Sequence, residues 1–237
     1  MPTPSFALVH SPLVGPSTWE RVAGALERHG ARTTVPALTE PGQGEPFWQG
    51  HARAAAAALA ADPDQPVVLA GHSGAGPLLP AIRAAAGRAV AAYLFVDAGL
   101  PADGQTRLGA LAVEDPDLAA EFERHLGTGG RFPEWSDQDL ADEIPDPTWR
   151  RRVLAELRPR ARPFWVEPLP VPAGWPDAPC AYLRLSSGYL VPARQAVELG
   201  WPLRELDAGH FHLLTDPDGV AAAMLGLVAE CAAASSR

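Results

Sequence analysis

Two segments far apart in the chain hold residue types that could carry out nucleophilic chemistry together. They are Gly71-His72-Ser73-Gly74-Ala75-Gly76 and Asp207-Ala208-Gly209-His210-Phe211-His212. A serine hydroxyl is a weak nucleophile at neutral pH and needs a base within hydrogen-bond reach. Histidine suits that task because its imidazole titrates at about 6.5. Ser73 follows the apolar run Pro66-Val67-Val68-Leu69-Ala70, read as a buried strand, and precedes a helical stretch at 77–86. A sharp turn in that context lifts a side chain above a sheet and aims the next helix's free N–H groups at it. The turn crowds its own backbone, so its flanks must be small. Gly71 supplies one such position, and Ala75 stands where glycine is usual. The simpler alternative makes Ser73 only the cap of the following helix.

His210 is the expected base, with Gly209 letting the backbone bend towards the serine. His212 is read as structural. A metal-binding His-x-His pair is set aside, since no carboxylate or cysteine set completes it. The expectation is no metal and no organic cofactor.

These residues need a scaffold that brings both loops to one edge. Short apolar runs alternate with longer alanine-rich amphipathic segments, the pattern of parallel strands joined by crossover helices. Strands are expected at 6–10, 32–35, 66–70, 90–96, 181–185 and 203–206. Helices are expected at 18–29, 47–61, 77–86, 192–199 and 217–232. The rhythm breaks at 99–178, which is rich in proline, tryptophan and acids, with helical patches near 117–126, 137–142 and 147–157. The expected organisation is therefore an α/β core of 1–98 and 179–237, mainly parallel and doubly wound, with 99–178 as an inserted helical cap.

Composition narrows the function classes. With 237 residues, 47% hydrophobic and 20% charged, the chain suits one globular domain with a full core. A formal charge of −9 argues against nucleic-acid binding. The basic run Arg150-Arg151-Arg152, continuing to Arg158, Arg160 and Arg162, is read as a solvated helix face offset by nearby acids. No uninterrupted apolar run reaches the roughly 18–20 residues that span a bilayer. Neither a secretory leader nor a disulfide framework is visible, Cys180 and Cys231 being the two cysteines. The expected setting is the cytoplasm, the expected partner a small-molecule substrate, and a homo-oligomer stays open.

The order of elements, the serine turn and the late Ala208-Gly209-His210 loop resemble the α/β-hydrolase superfamily. The opening ALVHSPLVGPSTWERVAGALERHG is similar to the branch holding plant methyl esterases and hydroxynitrile lyases. The resemblance implies a Ser-His-acid triad, with the acid usually just after the second-last strand. In Leu185-Ser186-Ser187-Gly188-Tyr189-Leu190-Val191-Pro192 the expected places hold Ser187 and Gly188, which carry no charge. Some members carry the acid after an earlier strand, which points to Asp97. Asp97 as a plain turn residue is the alternative, and Asp207 lies too near His210 to be a comfortable partner.

The resemblance also implies two oxyanion donors. Gly74 fits one. The other belongs to the residue after a His-Gly pair, where this chain has His10-Ser11-Pro12-Leu13, and Pro12 has no N–H. Either Leu13 supplies that bond through a shifted loop, or the reaction builds less oxyanion charge. The Ser11 hydroxyl is a candidate contact for a substrate oxygen. Hydroxynitrile lyases of the branch use a lysine just after the histidine. Here that position is Phe211 and the chain has no lysine, so cyanohydrin chemistry is not expected. His72 is expected to pack beside the turn and His10 to end a strand. Trp135, Trp149, Trp165 and Trp175 are each read as packing residues, with a pocket-lining role as the alternative.

Three functions compete at this point. The first is a serine hydrolase acting on an ester, thioester or lactone of a hydrophobic small molecule. The second is a lyase, cyclase or rearrangement enzyme using the same Ser/His pair for acid–base work. The third is a non-catalytic ligand-binding protein on the same scaffold.

Overall fold

The computed structural model describes residues 5–42, 44–60 and 66–235. Strand β1 (Ser5–Val9) leads through α1 (Ser17–Arg28) to β2 (Arg32–Thr34), and α2 (Phe47–Leu59) leads to β3 (Val67–Ser73). A short 3-10 turn, Gly76–Leu78, opens α3 (Leu79–Ala86), and β4 (Val90–Ala98) follows. Between β4 and the next strand come α4 (Arg107–Glu114), α5 (Pro116–Gly127), α6 (Pro147–Ala155) and α7 (Arg162–Trp165). The chain then completes β5 (Cys180–Arg184), a 3-10 turn at Ser187–Tyr189, α8 (Leu190–Glu198), β6 (Leu203–Glu205), α9 (His212–Thr215) and α10 (Pro217–Ser235).

All six strands run parallel in the order β2-β1-β3-β4-β5-β6. The apolar runs are continuous because both faces are covered. Phe6, Leu8, Val68 and Ala70 face α1 and α10, whereas Ala7, Val9, Val67 and Leu69 face α2, α3 and α8. The strand order reverses between β1 and β3. In open parallel sheets the crevice at such a switch point, beyond the carboxyl ends of the strands, is where ligands bind. The loop Ser11–Leu13 leaves β1 there and Ser73 ends β3 there.

Several elements depart from expectation. The segment 137–142 forms turns instead of a helix, because the backbone N–H and hydroxyl of Ser136 both donate to Asp139 and close a tight loop. Helix α4 was not anticipated; Thr106 caps it by accepting from the Gly109 N–H at 2.9 Å. Strand β4 runs on to Ala98, so Asp97 lies inside its final residues rather than after them. Helix α10 is long and apolar enough, by length and composition, to cross a bilayer, although Asp218 and Glu230 interrupt its apolar run. Here it lays Val220, Ala221, Met224, Leu227 and Cys231 against the sheet core.

The arginine run also reads differently in three dimensions. Arg150 pairs with Asp137, Arg152 with Glu20 and Arg162 with Glu123. Arg160 does not belong to a solvated face. It is 7% exposed and donates inward. A third apolar cluster of Val14, Leu140, Ile144, Val153, Phe211 and Leu214 ties the segment between β4 and β5 to the loops after β1 and β6.

Candidate active site

Ser73 sits at φ 58°, in the left-handed region that non-glycine residues seldom occupy. Such strain persists only where the surroundings over-determine the backbone. The β3–β4 register slips between His72 and Ser73, and the crowding around the turn is severe. A Cβ on Gly71 would lie 3.1 Å from a Leu79 methyl and 3.2 Å from the Ala75 backbone. A Cβ on Gly76 would stand 2.2 Å from the Gly99 carbonyl oxygen. Ala75 is fully buried and its methyl fits, so the position that must be glycine is 76 rather than 75.

Asp97 is the second residue with an unusual backbone, at φ 43°, and its carboxylate is fully buried. Every donor around it comes from a neighbouring strand end. The N–H groups of Leu185 and Ser186 donate to Oδ1 at 2.8 and 3.0 Å, and the Ser186 hydroxyl donates to Oδ2 at 2.6 Å. His210 Nδ1 donates to the same Oδ2 at 2.7 Å. Burial would raise this carboxyl, but the bond and charge of His210 and the Ser186 donors outweigh it and hold the group below its ordinary value. The stretch that lacks its own acid thus supplies the clamp for one on β4. Asp207 is exposed.

The His210 imidazole is held between two rings. His72 stacks on it at 4.4 Å and Tyr189 at 5.1 Å, the latter within 9° of parallel. His72 Nε2–H donates to the His210 carbonyl at 3.1 Å. Burial, reinforced by the neighbouring His210, pushes the His72 imidazole down to about 3, so it stays neutral and does not repel a protonated His210. The Ser73 hydroxyl shares its hydrogen bond with the Tyr189 hydroxyl, at 3.0 Å, rather than with His210. Catalytic bonds are often loose before substrate binds.

Tyr189 escaped the reading of the sequence. The signal that could have found it is an aromatic residue at the end of Ser187-Gly188-Tyr189, the stretch where the resemblance puts the acid. Gly209 does not adopt the left-handed backbone, and a Cβ there would lie 2.4 Å from a Glu143 carboxylate oxygen. His212 bonds to Thr215 Oγ1 within its own turn, at 2.8 Å. His10 is buried, donating from Nδ1 to the Ser11 carbonyl and accepting at Nε2 from the Leu38 N–H.

The loop after β1 forms the other wall. The Pro12 carbonyl accepts from Arg160 Nε and Nη2 at 3.3 and 3.0 Å, and the Leu13 carbonyl accepts from the Arg158 N–H at 2.9 Å. In a trans peptide the carbonyl and the following N–H point in opposite directions. Arg160 therefore turns the Leu13 N–H away from itself, towards Ser11 Oγ at 3.3 Å. A Cβ on Gly74 would come within 3.2 Å of that same oxygen, so the Gly74 backbone lies close against the loop after β1. Ser11 itself does not meet the role expected of it. It is 3% exposed and outside the cavity, its hydroxyl occupied as an acceptor for its own loop.

Ser73, Gly74, His210, Tyr189, Pro12 and Leu13 open onto a cavity of about 420 Å³. Its far wall is apolar, including Leu111, Phe122, Phe132 and Phe164. Trp135 and Trp165 line it too, so the alternative given for the tryptophans holds for these two, which also pack on Phe211 and Phe122. Trp149 and Trp175 do pack, under Arg152 and against Tyr93 respectively. Besides His210 and Tyr189, Glu114 and Arg107 line the cavity. Burial pushes Glu114 up and pulls Arg107 down to about 10. The Arg107 guanidinium lies 3.8 Å over the Phe164 ring and donates to the Phe164 carbonyl.

The family described as "Alpha/beta hydrolase family" matches residues 6–223. The chain belongs to that family. Membership makes it an enzyme of the hydrolase class. No curated protein matches the sequence. Among solved structures, it is similar to an extracellular α/β-hydrolase from a Paenibacillus species described as homologous to tobacco salicylic acid binding protein 2. Identity is 18%, covering 94% of this chain and 98% of that one, with a TM-score of 0.75. It is similar also to a pyrethroid hydrolase from Sphingobium faniae JZ-2, at 18% identity over 95% and 97% and a TM-score of 0.69. Tomato methylketone synthase I, solved with 2-tridecanone, matches at 13% identity over 97% and 99%, with a TM-score of 0.70. At these identities the likeness concerns the fold.

Proposed function

We propose that the protein is a serine hydrolase that cleaves an ester, thioester or lactone of a hydrophobic small molecule. The observation that carries the proposal is the strained Ser73 and the His210 imidazole, itself bonded to the buried Asp97, lining one largely apolar cavity of about 420 Å³. In this reading His210 Nε2 takes the Ser73 proton as Oγ attacks the carbonyl carbon. Asp97 fixes the imidazole with Nδ1 protonated and stabilises its cationic form. The N–H groups of Gly74 and Leu13 receive the oxyanion. His210 then protonates the leaving group, and water admitted to the acyl-enzyme completes the cycle with the same proton relay. The segment 99–178 serves as a cap whose aromatic side chains select an apolar substrate. The Paenibacillus and Sphingobium relatives, described as hydrolases, agree with this reading.

A fluorophosphonate probe tests it directly. Wild-type protein should label on Ser73, and Ser73→Ala should not label. A folded wild type that resists the probe would sink the hydrolase reading.

A second reading is favoured by one observation: Ser73 Oγ and the Leu13 N–H are both engaged within the protein, by Tyr189 and Ser11. In that case Ser73 and His210 perform acid–base work without an acyl-enzyme, in a lyase, cyclisation or rearrangement. The methylketone synthase likeness suits it. Rapid turnover of simple aryl esters would remove its motivation.

A further inference from the structure

We propose that the Tyr189 hydroxyl is a catalytic hydrogen-bond donor on the leaving-group side of Ser73. The inference rests on the hydrolase reading and assigns a residue to a step of it. Tyr189 touches the reacting atom, its oxygen lying 3.0 Å from Ser73 Oγ. Its ring lies flat against His210, which fixes the phenol on the side where the imidazolium returns its proton. The Leu13 N–H and the Gly74 backbone lie instead at the loop after β1, the side on which the hydrolase reading places the oxyanion.

The phenol is held there by the same turn that clamps the carboxylate. Tyr189 ends the 3-10 turn after β5, and its N–H donates to the carbonyl of Ser186, the residue that binds Asp97 through both N–H and hydroxyl. Tyr189 is half-buried and its hydroxyl reaches the cavity. Burial raises its ionisation far above neutrality, so it remains a donor throughout.

The sequence of events balances without any net transfer from the phenol. As Ser73 gives its proton to His210 and Oγ bonds to the carbonyl carbon, the Tyr189 O–H is released from Oγ. When the tetrahedral intermediate collapses, the bond from carbon to the leaving oxygen breaks and His210 delivers its proton to that oxygen. Tyr189 shifts its hydrogen bond to the departing oxygen while negative charge resides on it, and keeps its own proton. In the second half-reaction the same donor holds the incoming water. The benefit therefore scales with the charge on the leaving oxygen, large for an alkoxide and small for a nitrophenolate.

Tyr189→Phe removes the hydroxyl and keeps the ring against His210. Ethyl and p-nitrophenyl esters of one hydrophobic acid should be compared in wild type and variant. The ethyl ester should lose roughly 10- to 100-fold in kcat/KM, the worth of one hydrogen bond to a charged group, and the nitrophenyl ester far less. Equal losses on both esters would reduce Tyr189 to a positioning residue and overturn the proposal. So would no loss, or a gain on both, which would make the phenol a restraint on the serine. A wild type that neither labels with fluorophosphonate nor cleaves either ester would refute the hydrolase reading and this inference with it. Labelled wild type with an unaltered Phe variant would refute the phenol's role alone.

Discussion

The two walls flanking Ser73 are built from different parts of the chain, and they differ in how securely they are held. On the carboxylate side, Asp97 is fully buried and receives four hydrogen bonds, all from residues on or just beyond core strands. On the oxyanion side, the loop after β1 depends on the segment between β4 and β5. Arg160 and Arg158 hold the carbonyls of Pro12 and Leu13, and Glu156 accepts from the N–H and hydroxyl of Ser17 at the start of α1. The bonds to Asp97 thus come from the strand ends and His210, whereas the loop after β1 is bonded by the segment between β4 and β5, which also reaches the His210 loop through Glu143 and the cluster around Phe211.

The sharpest way to break this contrast is at the carboxylate. In Asp97→Asn the amide oxygen can keep the Leu185 and Ser186 donors at the Oδ1 position, which puts the NH₂ against His210 Nδ1. The imidazole must then accept at Nδ1 and carry its proton on Nε2, the wrong tautomer for receiving the serine's proton. The expected result is a fall of about 10³- to 10⁴-fold in kcat on a preferred ester, with the fold intact by circular dichroism. A loss smaller than tenfold would place the effective acid elsewhere and dissolve the contrast.

The oxyanion wall should yield next, and for a reason remote from the chemistry. Arg160→Met keeps most of the side-chain volume but strips both donors from the buried Pro12 carbonyl. The peptide linking Pro12 to Leu13 can then turn, and the Leu13 N–H loses its direction. Loss of one oxyanion donor costs up to about 10²- to 10³-fold in kcat, and a misdirected donor should fall at or below that range, with KM little changed. Kinetics measured well below the variant's melting temperature separate this from unfolding. Undiminished kcat would show that the loop after β1 holds its shape without the inserted segment.

How far the sequence announced these two walls follows from how local their causes are. The serine turn was legible because an unbroken apolar strand, Gly71 and a following helix occupy adjacent positions. Asp97 was within reach because it sits at the end of an apolar run. Its clamp was not, since the Ser186 donors matter only once β4 and β5 lie side by side. Arg160 was read as solvated because its neighbours Arg150, Arg152 and Arg162 are surface cations paired with acids. Its partners, the Pro12 carbonyl and the Glu40 carboxylate, lie 148 and 120 positions away, and no local pattern announces such pairings. Gly209 also lies against the Glu143 carboxylate of the segment between β4 and β5, a contact no local pattern announces. Tertiary contacts across that insertion account for most of what the residue pattern hid.

Ser11 allows a finer test of the oxyanion wall. Its hydroxyl accepts from the Leu13 N–H at 3.3 Å, long for such a bond, and so competes with any oxyanion for the same donor. Ser11→Ala removes the competitor, leaves Arg160 holding the Pro12 carbonyl, and opens only a small space beside Gly74. If the Leu13 N–H serves the oxyanion, freeing it should raise kcat by roughly 2- to 10-fold, the net worth of one neutral hydrogen bond. The measurement is steady-state hydrolysis of an aryl ester alongside the rate of fluorophosphonate labelling, which should rise together. A fall in both would mean that the Ser11 hydroxyl contributes to catalysis itself. The loop would then act through its side chain, and its dependence on the inserted segment would concern where that hydroxyl sits rather than where an amide points.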